Sequence, residues 1–201
     1  MNQLARLISY LYHPLFMPLI GCITYFMVSP RYNSAEEVKA ILFPIFILTI
    51  LVPILCFYIL KKFGVVKSVF LFGLKERKYP YMIQLCILLF IVYKLLPNRG
   101  LPELYYFFLA VIAAFFSALV LLLMRFKVSM HVMAISSILV FTLALSLHFH
   151  INLTVLLAFL VASTGILITV RYYLKAHSPI ELLLGFLLGV TAQMLTFKFW
   201  L

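Results

Sequence analysis

The chain runs to 201 residues, 66% hydrophobic and 10% charged, with 16 Lys and Arg against five acidic residues, all of them Glu. Soluble domains are about half apolar and about a quarter charged, so a soluble enzyme is excluded, and no hydrophilic stretch exceeds about twenty residues, which leaves no room for an extramembrane domain. The absence of Asp argues against the Asp-rich Mg²⁺ sites of many prenyl and alcohol phosphate transferases, since hard cations need several carboxylate oxygens. The formal charge of +11 points to anionic partners, either lipid headgroups or a phosphorylated substrate.

Apolar windows of roughly 18 to 24 residues predict transmembrane helices, here at about 8–29, 40–60, 80–97, 103–125, 129–148, 152–173 and 179–198. The fold class predicted is all-α, a polytopic transmembrane bundle of six to seven spans. It forms one integral membrane domain over 1–201, in which 1–70 supplies N-terminal spans and 71–201 a core bearing three polar motif regions. Arg6 is the one basic residue ahead of the first apolar run, which ends in no small-residue cleavage pattern, so that span is expected to stay in the mature protein. Tyr10, Tyr12 and His13, like Tyr105 and Tyr106, fit an aromatic belt. Cys22, Cys56 and Cys86 each sit in an apolar run without a second Cys or His at ligand spacing, and read as buried or lipid-facing thiols.

The longest polar segment, about 61 to 79, opens with Lys61 and Lys62, which read as snorkelling to headgroups, and closes on Lys75-Glu76-Arg77-Lys78-Tyr79-Pro80. The connections at 126–128 and 149–151 are short enough to make the flanking spans antiparallel neighbours. With each span reversing direction, the face that receives 61–79 also receives Lys127-Val128-Ser129-Met130-His131 and the run from Arg171 through His177 to Glu181. That face collects 11 of the 16 cations. Setting aside Lys75, Arg77, Lys78, Lys127 and Arg171 as phosphate-binding candidates leaves six against five, so the positive-inside rule assigns no orientation. His148 and His150 form H-x-H at the opposite end of a span with no third ligand nearby, and read as interfacial. Gly185 and Gly189 form a G-x3-G step, read as close helix packing.

The third cluster has the spacing R-x5-H-x3-E. An imidazole oriented by a carboxylate on its far nitrogen can attack phosphorus and carry the phosphoryl group, and His177 with Glu181, one helical turn on, supplies that pair. Arg171 fits a bidentate clamp on phosphate oxygens. A second titratable group must protonate the leaving alkoxide and then activate water, and His131 is the candidate. Ser129 and the first amides of the following helix are expected to face the anion. Ser178-Pro179-Ile180-Glu181 also reads as a helix capping box, which accounts for Glu181 without catalysis.

These three clusters resemble the motifs K-x6-RP, PSGH and SR-x5-H-x3-D of the type 2 phosphatidic acid phosphatase superfamily of integral membrane lipid phosphatases. The resemblance covers roughly 75 to 190 and keeps the order and approximate separations of the motifs. The first is approximated by Lys75, Arg77, Lys78 and Pro80. Met130 stands where the second has Gly, and Glu181 where the third has Asp. The resemblance implies a phosphatase independent of metals and cofactors, with His177, His131 and Glu181 catalytic and Arg171, Ser129, Lys75, Arg77, Lys78 and Lys127 holding phosphate. Its partners are then the bilayer and a phosphorylated lipid, with no nucleic acid, and its expected setting is a bacterial inner (cytoplasmic) membrane. Transfer of the phosphoryl group to another lipid, and phospholipid binding without turnover, are the alternatives.

Overall fold

The computed structural model describes residues 2–66, 74–97 and 100–201, apart from the side chains of Asn2, Leu74 and Lys75. Among these residues the secondary structure is helical, with no β-strand. Helix α1 (Asn2–Leu11) and helix α2 (Met17–Val28) are followed by α3 (Ala35–Phe46) and α4 (Val52–Lys62), which a π turn at Ile47–Leu51 joins into one rod. Next come α5 (Leu74–Phe90), extended by a π turn at Ile91–Leu95, then α6 (Pro102–Leu123), α7 (Met130–His148), α8 (Thr154–Tyr173) and α9 (Pro179–Thr196). Six of these rods are long and apolar enough to cross a membrane. Phe43, Leu55, Phe116, Val161 and Leu195 stand exposed on their outer surfaces, where hydrocarbon rather than water is the matching solvent.

The expected first span, 8–29, is not one helix. Proline at 14 has no N–H and disfavours helix at the residue before it, so α1 ends at Leu11 and the chain turns through His13 and Pro14 before α2 begins. The 12 residues of α2 cover about 18 Å at about 1.5 Å each, short of the roughly 30 Å of a hydrocarbon core. The segment nonetheless reaches from one end of the bundle to the other. Its start brings His13 against His131 at the beginning of α7, ring centroids 5.4 Å apart. Its far end brings Arg31 to Glu103, the carboxylate that also meets His148 at the end of α7. With α2 the described residues cross the bundle seven times, which puts α1 on the face of His131 and the C-terminal Trp200, 5.4 Å from the His148 ring, on the opposite face. Helix α1 lies against α8, with Ala5 and Ser9 buried and Leu4, Leu7 and Leu11 outward, the arrangement of an interfacial amphipathic helix.

The core is built where α6 and α7 face α2, α5 and α9. Phe107, Phe108 and Ala110 of α6 and Met133, Phe141 and Leu145 of α7 are almost fully buried in it. The most extensive helix pair is α7 with α9, and the expected G-x3-G packing is realised there. A Cβ at Gly185 would sit 2.6 Å from the Ser129 carbonyl oxygen, and one at Gly189 would collide with Ser136 Oγ and the Met133 carbonyl. Gln193 closes the seam by donating to Ser137 Oγ at 2.7 Å.

Three helices end on a residue other than glycine in the left-handed region: Arg125 (φ 68), His150 (φ 52) and Lys175 (φ 50). In each, that residue's N–H returns to the carbonyl three positions back and the next N–H to the carbonyl five back, which caps the last free carbonyls. The left-handed backbone costs roughly 1–2 kcal/mol in a residue with a Cβ, partly offset in any glycine replacement by glycine's extra chain entropy of about 0.5–1 kcal/mol. His150→Gly is therefore expected to raise stability by about 0.5–1 kcal/mol, read as a higher Tm in detergent. An unchanged or lower Tm would mean that the exposed His150 ring makes a contact worth more than the strain.

Candidate functional site

The turn after α8 places the histidine. Lys175 N–H bonds to the Tyr172 carbonyl at 2.9 Å and Ala176 N–H to the Arg171 carbonyl at 3.1 Å, so the chain folds back and presents His177 just ahead of α9. Ser178 then caps α9 by accepting from Glu181 N–H at 3.3 Å, with Pro179 in the first helical turn. The Glu181 carboxylate is not used in the cap. It points to His177 and accepts from Nδ1 at 2.7 Å, with the His177 side chain 3% exposed and that of Glu181 23%.

The chain contains its own control for this geometry. Ser34 and Glu37, the same Ser-x-x-Glu spacing at the start of α3, form the complete reciprocal box, in which the Glu37 carboxylate accepts from Ser34 N–H at 2.8 Å and Ser34 Oγ accepts from Glu37 N–H at 3.2 Å. At Glu181 the second half of the box is given up for the imidazole. The cap and the His–carboxylate pair thus coexist through a division of labour: Ser178 caps, Glu181 orients.

Proton placement follows from that pair. With Nδ1–H directed at Glu181, the free position of the neutral ring is the lone pair on Nε2. Burial pushes the His177 imidazole down to about 4, with the charges of Arg171 and Arg77 acting in the same sense and the Glu181 hydrogen bond and charge opposing them. The environment thus favours the uncharged ring at neutral pH.

Around His177 the fold gathers the other predicted residues from three helix ends. Arg171, at the end of α8, lies within electrostatic range of His177, His131, His13 and Arg77. Its Nε and the Ser129 Oγ are buried without a hydrogen-bond partner among the described residues. Ser129 precedes α7, and its N–H donates to the Glu181 carbonyl at 3.1 Å, tying the second cluster to the third. His131 sits in the first turn of α7 with Nε2 at 3.2 Å from the Ser9 carbonyl oxygen of α1.

The first cluster divides. It lies in the opening turns of α5 rather than in the loop expected up to residue 79. Arg77 is half-buried there, hydrogen-bonded to Tyr81 and within range of His177 and Arg171. Lys78 faces outward and is exposed, and the side chain of Lys75 lies outside the described residues. Lys127 is half-buried in the link between α6 and α7. An open depression of about 410 Å³ is lined by Tyr172, Tyr173, Lys175, His177 and Ser178. Among the described residues no three His, Cys, Asp or Glu side chains are grouped to hold a metal ion.

Two sets of residues went unread in the sequence. By sequence His13 fits an aromatic belt, yet its ring packs against that of His131 at 5.4 Å; the local signal is Pro14, which stops the helix beside it. At the opposite face, fully buried Glu103 pairs with Arg31 at 2.7 Å and His148 at 3.2 Å and accepts from Tyr25 OH at 3.3 Å. His148 is therefore engaged inside the bundle rather than only interfacial. The Pro102-Glu103 start of α6 is legible, but its partners come from α2, the link after it and α7. No family model, curated protein or solved structure matches the chain.

Proposed function

We propose that this chain hydrolyses a phosphomonoester or diphosphate carried by a membrane lipid, through a phosphohistidine formed on His177. The observation that carries the reading is the diversion of the Glu181 carboxylate from its own helix cap to His177 Nδ1. In the first step Nε2 of His177 attacks phosphorus, the bond from phosphorus to the lipid oxygen breaks, and the developing imidazolium is stabilised by Glu181. The leaving alkoxide takes a proton from His131. In the second step His131 takes a proton from water, the resulting hydroxide attacks phosphorus, and the phosphorus–nitrogen bond breaks to free His177. Arg171 and Arg77 supply positive charge for the phosphoryl oxygens, which is most of what phosphoryl transfer asks of a protein. With Nε2 of His131 held by the Ser9 carbonyl, Nδ1 is the nitrogen that exchanges protons with substrate.

The substrate class follows from location. Rods apolar enough to span the bilayer leave the tail of a lipid in hydrocarbon while its headgroup slides sideways to His177. Phosphatidate, phosphatidylglycerol phosphate, a polyprenyl diphosphate and a phosphorylated glycolipid all meet this description, and a bacterial cytoplasmic membrane is the proposed setting. The test is phosphate release by the purified protein in detergent, with EDTA present, from a panel of lipid monophosphates and diphosphates. Turnover that survives chelation is expected. Binding of these lipids with no phosphate released from any of them would replace the hydrolase with a lipid-phosphate binder.

A further inference from the structure

We propose that His13 is an anion-binding residue of this site, donating its Nε2–H to a phosphoryl oxygen of the substrate. The inference rests on the phosphate-binding reading of the site given above. It begins with where the chain breaks. Pro14 stops α1, and the turn that results accepts into the Nδ1 lone pair of His13 a hydrogen bond from Leu15 N–H at 3.3 Å. A ring nitrogen that accepts carries no proton, so the neutral ring must hold its proton on Nε2. The tautomer is thus set by the backbone two residues on, and Nε2 is left as a donor.

The ring's position gives that donor a use. Tyr12, the residue before it, is anchored through its hydroxyl to Ser163 Oγ of α8 at 2.8 Å. The His13 ring packs edge-on to Phe16 at 6.3 Å and to His131 at 5.4 Å. The charged and titratable groups facing it are Arg171 from α8 and His131 from α7. Burial, followed by the charge of Arg171, holds the His13 imidazole below its ordinary value, so it enters the site as a neutral donor. Among the described residues no carbonyl or carboxylate accepts from its Nε2. A donor with a fixed tautomer that packs against a second imidazole and lies within the field of the Arg171 guanidinium has an anion as its complement.

Two substitutions separate this role from a purely structural one. His13→Asn keeps an acceptor for Leu15 N–H, as Asn does in an Asx turn, and removes the Nε2 donor. His13→Gln places an amide N–H near the Nε2 position and gives up the acceptor. The probes are orthovanadate and inorganic phosphate, titrated calorimetrically into full-length protein in detergent, with lipid-phosphate turnover measured in parallel. His13→Asn is expected to weaken anion binding by about 10–100-fold, the loss of one hydrogen bond to a charged group, and to raise KM more than it lowers kcat, while His13→Gln stays within about threefold of wild type. The reverse ranking, equal loss in both, or no loss in either overturns the role of His13 and leaves the site reading standing. Wild-type protein that binds vanadate yet releases no phosphate ends the hydrolase reading while the variants still decide His13. Wild-type protein that binds neither anion overturns both.

Discussion

His177→Ala is expected to lower lipid-phosphate turnover by about 10⁴-fold or more, the scale on which removal of a nucleophile acts in a residue set that works as a unit, while leaving the protein folded. His177 is held by a turn of backbone hydrogen bonds and by the Ser178 hydroxyl cap, neither of which uses its own side chain, so that side chain is not what supports α9. Glu181→Gln keeps a hydrogen-bond acceptor for Nδ1 and removes the charge, and is expected to lose about 10²–10⁴-fold. The same pair fixes the pH profile. Protonation of Nε2 abolishes the nucleophile, and burial together with Arg171 and Arg77 depresses the folded-state value to about 4 from an ordinary value of about 6.5. Activity should therefore persist as pH falls through 6.5 and be lost only on approach to about 4. A kcat/KM profile with its acid limb at the ordinary histidine value, or His177→Ala with wild-type turnover, would remove His177 from the reaction.

The sequence carries the spans and the third cluster well because both are local. Apolar run length predicts six of the long rods, four of them to within a few residues while α3 and α5 begin about five residues earlier than expected, and the Arg171, His177 and Glu181 spacing encodes one turn followed by one helical step. Hydropathy treats Pro14 as one more residue in an apolar window, whereas physically it removes an N–H and disfavours helix geometry at the residue before it. The expected single span over 8–29 accordingly becomes an interfacial helix, a turn and a short helix. His13 and Glu103 were out of reach for a different reason. Each is defined by partners from other elements, His131 and Arg171 for one, Arg31, His148 and Tyr25 for the other, and no local spacing predicts which helix ends meet. The first cluster was located along the chain but not resolved by residue. Helical phase on α5 turns Arg77 inward and Lys78 outward, a distinction that requires knowing which side of α5 faces the bundle.

Gly189→Leu is expected to be the most disruptive substitution outside the catalytic pair, because it acts on the joint that relates the two histidines. A Cβ at position 189 falls on Ser136 Oγ and on the Met133 carbonyl. The hydroxyl cannot simply rotate away without loss, since it bonds to the Met133 and Phe186 carbonyls at 3.1 and 3.2 Å, and the Met133 carbonyl belongs to the helix backbone. The helices must separate, and α7 carries Ser129 and His131 while α9 carries Glu181. Overpacking of this kind costs about 1–3 kcal/mol or more, and a displacement of about 1 Å at the reacting groups costs about 10²-fold in rate. The expected result is a lowered Tm together with a disproportionate loss of turnover, as the Ser136 to Phe186 and Ser129 to Glu181 bonds that cross the seam open. Gly165→Ala on α8 is the control: nothing lies within 4 Å of a Cβ there, and replacing a mid-helix glycine by alanine stabilises by about 0.5–1 kcal/mol. If Gly189→Leu matched Gly165→Ala in both Tm and turnover, the α7–α9 seam would not set the geometry of the site. A loss confined to Gly189→Leu would identify the seam as the element that holds His131 and the His177–Glu181 pair in register.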